Sequence, residues 1–303
     1  MSFSEADVIE VLAEVFSSTD PRLLIGIGDD AALVKANGQQ ILTTDIAVEG
    51  VHFRSDWSTA FEIGQRIAIA NIADVLAMNG KCDYLLVAAT LTGSETLQWI
   101  KELAQGIRFE ADRAGALVVG GDLARSKTLS IAITAVGHTD KAILRSGAQV
   151  GDSIYLSSLT GWSAAGLKML QDKKELSAKA ISRYKVPSLD FHVDFSHATS
   201  MSDVSDAVLI QGAQMASASR VGFSLHLQSI ESAAGFDELF ELAQKMGVDV
   251  LDWILQGGED HVLLATGRDL PGIEIGHVYE GAGISIVHNM KEIKMAPVSW
   301  SHF

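Results

Sequence analysis

Aspartates recur at the ends of apolar runs in this chain: Asp29 and Asp30 after Gly28, Asp45 after Thr43 and Thr44, Asp122 after Gly120 and Gly121, Asp203 and Asp206 around Ser205. Glu259 and Asp260 follow Gly257 and Gly258 in the same way. Carboxylates beside small residues suit a hard cation, because the backbone can approach a ligand closely and oxygen donors select Mg2+ or Ca2+ over zinc. Mg2+ commonly binds through a few carboxylates together with substrate phosphates. For any single one of these acids, ordinary turn chemistry is the competing reading. Asp74 resists that reading, since it falls inside a predicted helix on a mostly apolar face, where an unpartnered carboxylate is costly.

Common nucleotide motifs do not account for the pattern. The chain has no GxxxxGK(S/T) loop and no HRD with DFG. Gly26, Gly28 and Ala31 match GxGxx(G/A), but two aspartates at the start of a helix would repel a pyrophosphate. His192 and His197 lack metal-ligand spacing. Arg145 is the clearest cation for phosphate, since its fork can engage two oxygens; Arg125, after Gly-Gly-Asp, is a weaker second.

The elements that must position these residues read as α+β. Ser4 with Asp7 caps an amphipathic helix that ends before Asp20-Pro21, and Thr59 with Glu62 caps a second that Gly80 would stop. On the second helix Asn71, Asp74 and Met78 share a face. Strands are predicted over 41–45, 84–91, 117–119 and 129–133, and a helix over 94–114 stopped at Gly115. In the second half, helices are predicted over 161–170, 205–220 and 236–246 and strands over 154–156, 223–227 and 262–265. A closing hairpin is predicted from 284–287 and 293–295.

A length of 303 residues suggests two domains at about 150 residues each. The polar turn at 145–152 divides them into 1–147 and 148–303. Twenty-three Lys and Arg against 38 Asp and Glu leave a net charge of −15, which argues against nucleic acid or an anionic membrane as partner. An acidic site that gathers phosphates through divalent cations is compatible with it. The most apolar stretch, 63–78, is interrupted by Gln65, Arg66, Asn71 and Asp74, and the N-terminus does not read as a secretory signal. The single Cys82 excludes an intramolecular disulfide, and a cytoplasmic location is expected.

GIGDDAAL from Gly26, TTDIAVEGVHF from Thr43, NIADVLAMNG from Asn71, GGDLAR from Gly120, RSGAQVGD from Arg145, DVSDAV from Asp203 and GGEDHVLL from Gly257 together resemble the thiamine-monophosphate kinase family. That family lies within the aminoimidazole-ribonucleotide-synthetase-like (PurM-like) ATP-binding superfamily. The resemblance covers almost the whole chain and implies a two-domain α+β fold. Its N-terminal α/β domain binds ATP and Mg2+ and pairs its sheet across a homodimer; its C-terminal domain is α+β. The implied activity is ATP-dependent phosphorylation of thiamine monophosphate to thiamine diphosphate.

Carried over by position, the resemblance implies Mg2+ ligands at Asp30, Thr43, Thr44, Asp45, Asp74, Asp122, Asp203 and Asp206, with Asp45, Asp122 and Asp206 central to catalysis. It implies ATP contacts at Gly121, Asp122, Arg145 and Ser205, and thiamine phosphate contacts at His52, Glu259 and Trp300. Taken alone, His52 also fits a satisfied core histidine, Glu259 a turn cap and Trp300 tail packing. A flat, cationic thiazolium is nonetheless a plausible partner for an aromatic face and a carboxylate. The chain departs from the family pattern at Ala207 (usually Gly), Leu123 and Ala124 (usually Thr), His261 (usually Tyr), and Ser188 and Leu189, where an Arg is usual after Pro187. Activation of another small acceptor, ATP hydrolysis, and non-catalytic sensing of ATP and Mg2+ are the alternative functions.

Overall fold

The computed structural model describes residues 4–27 and 31–293. They group into two compact units: one runs to Leu76 and takes in Gly80–Lys141, and the other takes Ala77–Asn79 and the chain from Ala142 onward.

The first unit comprises α1 (Glu5–Phe16), β1 (Leu23–Ile25), β2 (Leu33–Val34), β3 (Gln39–Val48), α2 (Ala60–Ala77), β4 (Lys81–Leu91), α3 (Leu97–Ala114), β5 (Leu117–Arg125) and β6 (Ser130–Thr139). Both foreseen capping boxes form. Ser4 and Asp7 close the start of α1, and the Thr59 and Glu62 side chains each accept the other's backbone N–H at the start of α2. Gly115 ends α3 with φ 72°, as a left-handed C-terminal residue should. At the end of α2 the left-handed residue is Asn79, φ 56°, rather than Gly80. Gly80 is glycine for another reason: a Cβ there would collide with Ile41 and Val75. Helices α2 and α3 approach through two more glycines, since a Cβ on Gly64 would strike the Leu103 carbonyl and one on Gly106 the Phe61 carbonyl.

Strands order as β3-β6-β4-β5, with β4 and β5 parallel and joined through α3, and the other pairs antiparallel. Ile131, Ile133, Ala135 and Leu85 are fully buried on one face. On the opposite face Leu42, Ile46 and Leu86 are exposed. Strand β5 is longer than its apolar run predicts, because Gly120, Gly121 and Asp122 continue the pairing with β4 instead of leaving it.

The second unit comprises β7 (Ser153–Leu156), α4 (Trp162–Gln171), α5 (Ala178–Lys185), β8 (Ser200–Asp203), α6 (Val208–Ser219), β9 (Gly222–His226), α7 (Leu227–Glu231), α8 (Phe236–Met246), α9 (Val250–Gln256), β10 (Leu263–Gly267), β11 (Ile273–Tyr279), β12 (Gly283–His288) and β13 (Lys291–Ile293). Its sheet orders as β13-β12-β9-β11-β7-β10-β8. The larger core packs α4, α6, α8 and α9 against Leu156, Phe223, Leu225 and Leu264, and a smaller cluster around Tyr155, Phe195, Met201 and Leu263 forms separately. The foreseen strand at 284–287 forms as β12, but its hairpin partner β13 pairs over 291–293 and shares only Ile293 with the expected 293–295, whose last two residues lie outside the described residues. Asn289 and Met290 both hold positive φ, as a tight two-residue turn requires. Elements α5, α7, α9, β8 and β11 are additions to the sequence reading. Ser-Met-Ser-Asp in β8 is buried throughout although three of its four residues are polar, so it shows no apolar run.

Candidate functional site

In the first unit, strand alternation sorts the residues of the Thr-Thr-Asp motif. Thr43 and Asp45 face α2. The Thr43 hydroxyl donates to Asp74 Oδ2 at 2.6 Å, and the Asp45 N–H donates to Asn71 Oδ1 at 3.0 Å. Asn71 is fully buried and its Nδ2 donates to the Ile67 carbonyl, so its acceptor oxygen is held toward β3. Thr43 answers the cost of placing Asp74 in an apolar helix face. Asp45 is exposed. Thr44 lies on the opposite face: its hydroxyl donates to the Ile133 carbonyl and accepts from Thr134. Asp122 pairs with Ala88, which pairs with Ala132 opposite Ile46, so Asp122 shares that outward face with Thr44.

A cavity of about 740 Å3 in this unit has Gly26, Ile27 and Ala31 on one wall and Gly120, Gly121 and Asp122 on another. The residues flanking the GIGDD segment and the GGD motif therefore line one space. Gly121 has a structural reason to be glycine, because a Cβ would collide with the Val87 backbone in β4. After β3 the chain turns through Gly50 at φ 82°. There His52 Nδ1 accepts the Val48 N–H at 3.1 Å, which leaves Nε2 to carry the proton of the neutral ring.

In the second unit two loops are zipped together. The Glu259 N–H donates to the Ser205 carbonyl at 2.7 Å and the His261 N–H to the Val204 carbonyl at 3.0 Å. A Cβ on Gly258 would collide with the Ser205 and Asp206 carbonyls. Glu259 and His261 both hold positive φ, 64° and 53°, a conformation that costs a non-glycine residue about 1–3 kcal/mol and gathers at functional sites. Asp260, between them, turns inward and accepts the Gly161 and Ser163 N–H groups at 2.6 and 3.0 Å. It is thus the acceptor for the start of α4. Burial pushes its carboxyl up to about 6, against the two backbone hydrogen bonds that lower it.

His261 lies buried with Nδ1 3.2 Å from Asp203 Oδ2 and Nε2 3.7 Å from Glu259 Oε2. Desolvation alone would lower its pKa; the Asp203 and Glu259 carboxylates outweigh that and raise it to about 10. The histidine at this position therefore stands between two acids, both of which favour its protonated form. The Arg145 loop is pinned by Ser219 Oγ, which accepts the Gly147 and Ala148 N–H groups, while Arg145 itself is exposed.

Residues 28–139 match the family model described as AIR synthase related protein, N-terminal domain. The thiamine-monophosphate kinase of Mycobacterium tuberculosis is 35% identical over 250 residues, covering 80% of this chain and 74% of that protein. The chain belongs to the thiamine-monophosphate kinase family. The family member from Aquifex aeolicus is 29% identical over 91% of this chain and 92% of its own. A solved structure described as AaThiL complexed with AMPPCP and TMP superposes with a TM-score of 0.79 at 28% identity, over 99% of this chain and 97% of that one. The two-domain α+β, AIR-synthetase-like fold expected from the sequence is the fold found.

Within this family member, the structure joins Thr43, Asp45 and Asp74 around α2, and Asp203, Ser205, Asp206 and Glu259 around the zipped loops. It sets Thr44 and Asp122 on the other face of the first sheet. Asp30 and Trp300 lie outside the described residues. Two residues absent from the sequence-based site emerge. Asn71 was visible only as a neighbour of Asp74 on a helix face. Gln211, whose Nε2 donates to Asp206 Oδ2 and Ser205 Oγ, carried no sequence signal, because a glutamine one turn into a helix is ordinary.

Proposed function

We propose that this chain transfers the γ-phosphoryl group of ATP to the phosphate of thiamine monophosphate, giving thiamine diphosphate and ADP. What carries the reading is the whole-chain match to the AaThiL structure with an ATP analogue and TMP, with this chain retaining every carboxylate of the resembling motifs.

The donor set fits Mg2+: carboxylates at Asp30, Asp45, Asp74, Asp122, Asp203 and Asp206, with hydroxyls at Thr43 and Thr44. Among the described residues no three His, Cys, Asp or Glu side chains are arranged so that they could hold a metal ion by themselves. Carboxylates of this kind would hold Mg2+ together with substrate phosphates that complete its shell. When bound, Mg2+ neutralises and aligns two polyanions that carboxylates alone would repel. Asp45, Asp122 and Asp206 take the central roles in this reading. Gly121, Asp122, Ser205 and the exposed Arg145 contact the nucleotide, and His52, Glu259 and Trp300 hold the thiamine phosphate. The acceptor phosphate has a second pKa near 6 and is already largely ionised at neutral pH, so no strong general base is required. Transfer is direct, with no phosphorylated enzyme.

The same reading assigns residues 1–147 to ATP and Mg2+ binding and dimerisation and 148–303 to the C-terminal domain, with a cytoplasmic location. Exposed Leu42, Ile46 and Leu86 on the first sheet support a homodimer formed through that face. Among the described residues no helix is long and apolar enough to cross a membrane.

The test is chromatographic separation of thiamine species after incubating pure protein with ATP, Mg2+ and thiamine monophosphate, beside a mixture lacking the acceptor. Thiamine diphosphate with equimolar ADP is expected. ADP without the diphosphate would replace the reading with a hydrolase or another acceptor, and nucleotide binding without ADP would replace it with a sensor.

A further inference from the structure

Helix α6 begins at Val208 with Ala207 at its N-cap, and alanine has no side-chain oxygen with which to cap it. Gln211 supplies the acceptor from inside the helix: its Oε1 accepts the Ala207 N–H at 2.8 Å. A backbone N–H only donates, so this bond settles which way the amide points. Nε2 must then face the preceding loop, where it donates to Asp206 Oδ2 at 3.1 Å and Ser205 Oγ at 3.3 Å. The glutamine is 1% exposed, so water does not compete for these bonds.

The loop backbone is clamped from its other side by the Glu259 N–H on the Ser205 carbonyl and by the close approach of Gly258. Backbone position is thus set by the GGED loop, and side-chain direction by Gln211. We infer that Gln211 is a positioning residue of the metal–nucleotide site, aiming the Asp206 carboxylate and the Ser205 hydroxyl through one amide. The inference rests on the functional reading above, which places Mg2+ on Asp206 and ATP on Ser205. A neutral amide is needed for the task. Glutamate at 211 would still accept the Ala207 N–H but would set a second negative oxygen against Asp206.

The test measures calorimetric binding of Mg2+–AMPPCP without acceptor, alongside Tm and the KM values for ATP and thiamine monophosphate. Gln211→Glu keeps an acceptor for the Ala207 N–H but buries a carboxylate against Asp206, so Tm should fall, and the folded variant should bind nucleotide about tenfold to a hundredfold more weakly. KM for thiamine monophosphate should not change. Gln211→Met loses the acceptor for the Ala207 N–H and the aim together, and Ala207→Ser added to it supplies a different capping bond, from its Oγ to an N–H of the first turn, without restoring the aim. Recovery of Tm in the double variant with binding still weak supports positioning. Recovery of binding together with Tm, or a folded Gln211→Glu protein that binds within twofold of the unaltered chain, would reduce Gln211 to a helix cap and overturn the inference. If the unaltered chain binds Mg2+–AMPPCP but forms no thiamine diphosphate, the functional reading fails and the Gln211 comparison still stands; if it does not bind, both fail.

Discussion

Asp45 divides its polar groups between two tasks: its N–H is held by the buried Asn71, and its side chain stands exposed beside the Thr43–Asp74 pair. That division gives a sharp expectation for Asp45→Asn. The backbone anchor survives, so the protein should fold, while one anionic arm for Mg2+ is lost. Thiamine diphosphate formation should fall by roughly a thousandfold, equivalent to several kcal/mol of transition-state stabilisation. A variant that retains full turnover in the chromatographic assay would remove Asp45 from the site. At this scale the chemistry of the acids was legible from residue type and neighbours, and their partners were not. Nothing in Thr43-Thr44-Asp45 says that the middle residue points away, until the strand pairs and its period of two assigns the faces.

Asp260 shows what an element asks of a residue beside a site. The acid looks like part of the GGED motif's chemistry, yet its carboxyl closes the start of α4, a helix whose N-cap is Gly161 and has no side chain to offer. Its folded pKa of about 6 lies above the ordinary 3.8. The stabilising contribution of the protonated form is therefore fully present below 3.8 and is lost as pH rises through about 6. His261 and Arg183 are the charged groups that oppose this shift. Asparagine at this position does not titrate. The stability of the unaltered chain relative to Asp260→Asn should thus decline across that window by up to ~3 kcal/mol. Urea unfolding at a series of pH values measures it, and parallel curves for the two proteins would refute the assignment. Capped helices and apolar strands were readable from sequence because their signals are local. Strand β8 and helix α9 were not: the first is too short and polar, and the second, at seven residues, too short to display a period.

For the molecule as a whole, the acidic balance, −15 over 303 residues, and the outward face of the first sheet make separate demands. The charge suits phosphates met through Mg2+. The exposed Leu42 and Ile46, 69% and 57% accessible, suit a second copy of the chain. Light scattering should report a particle of twice the 32.3 kDa chain mass, and Leu42→Lys with Ile46→Lys should shift it to the monomer. A protein that is monomeric before substitution would remove the dimer from the proposal.

The order of the motifs along the chain, the α+β class and the family were determined by the sequence itself, because each depends on residue types and short spacings that the chain carries wherever it folds. Which of those residues meet was decided only by tertiary structure. Thr43 reaches Asp74 across 31 positions, and His261 reaches Asp203 across 58. Such distances are closed by strand register, helix packing and glycine contacts, none of which is written in the local pattern of either residue.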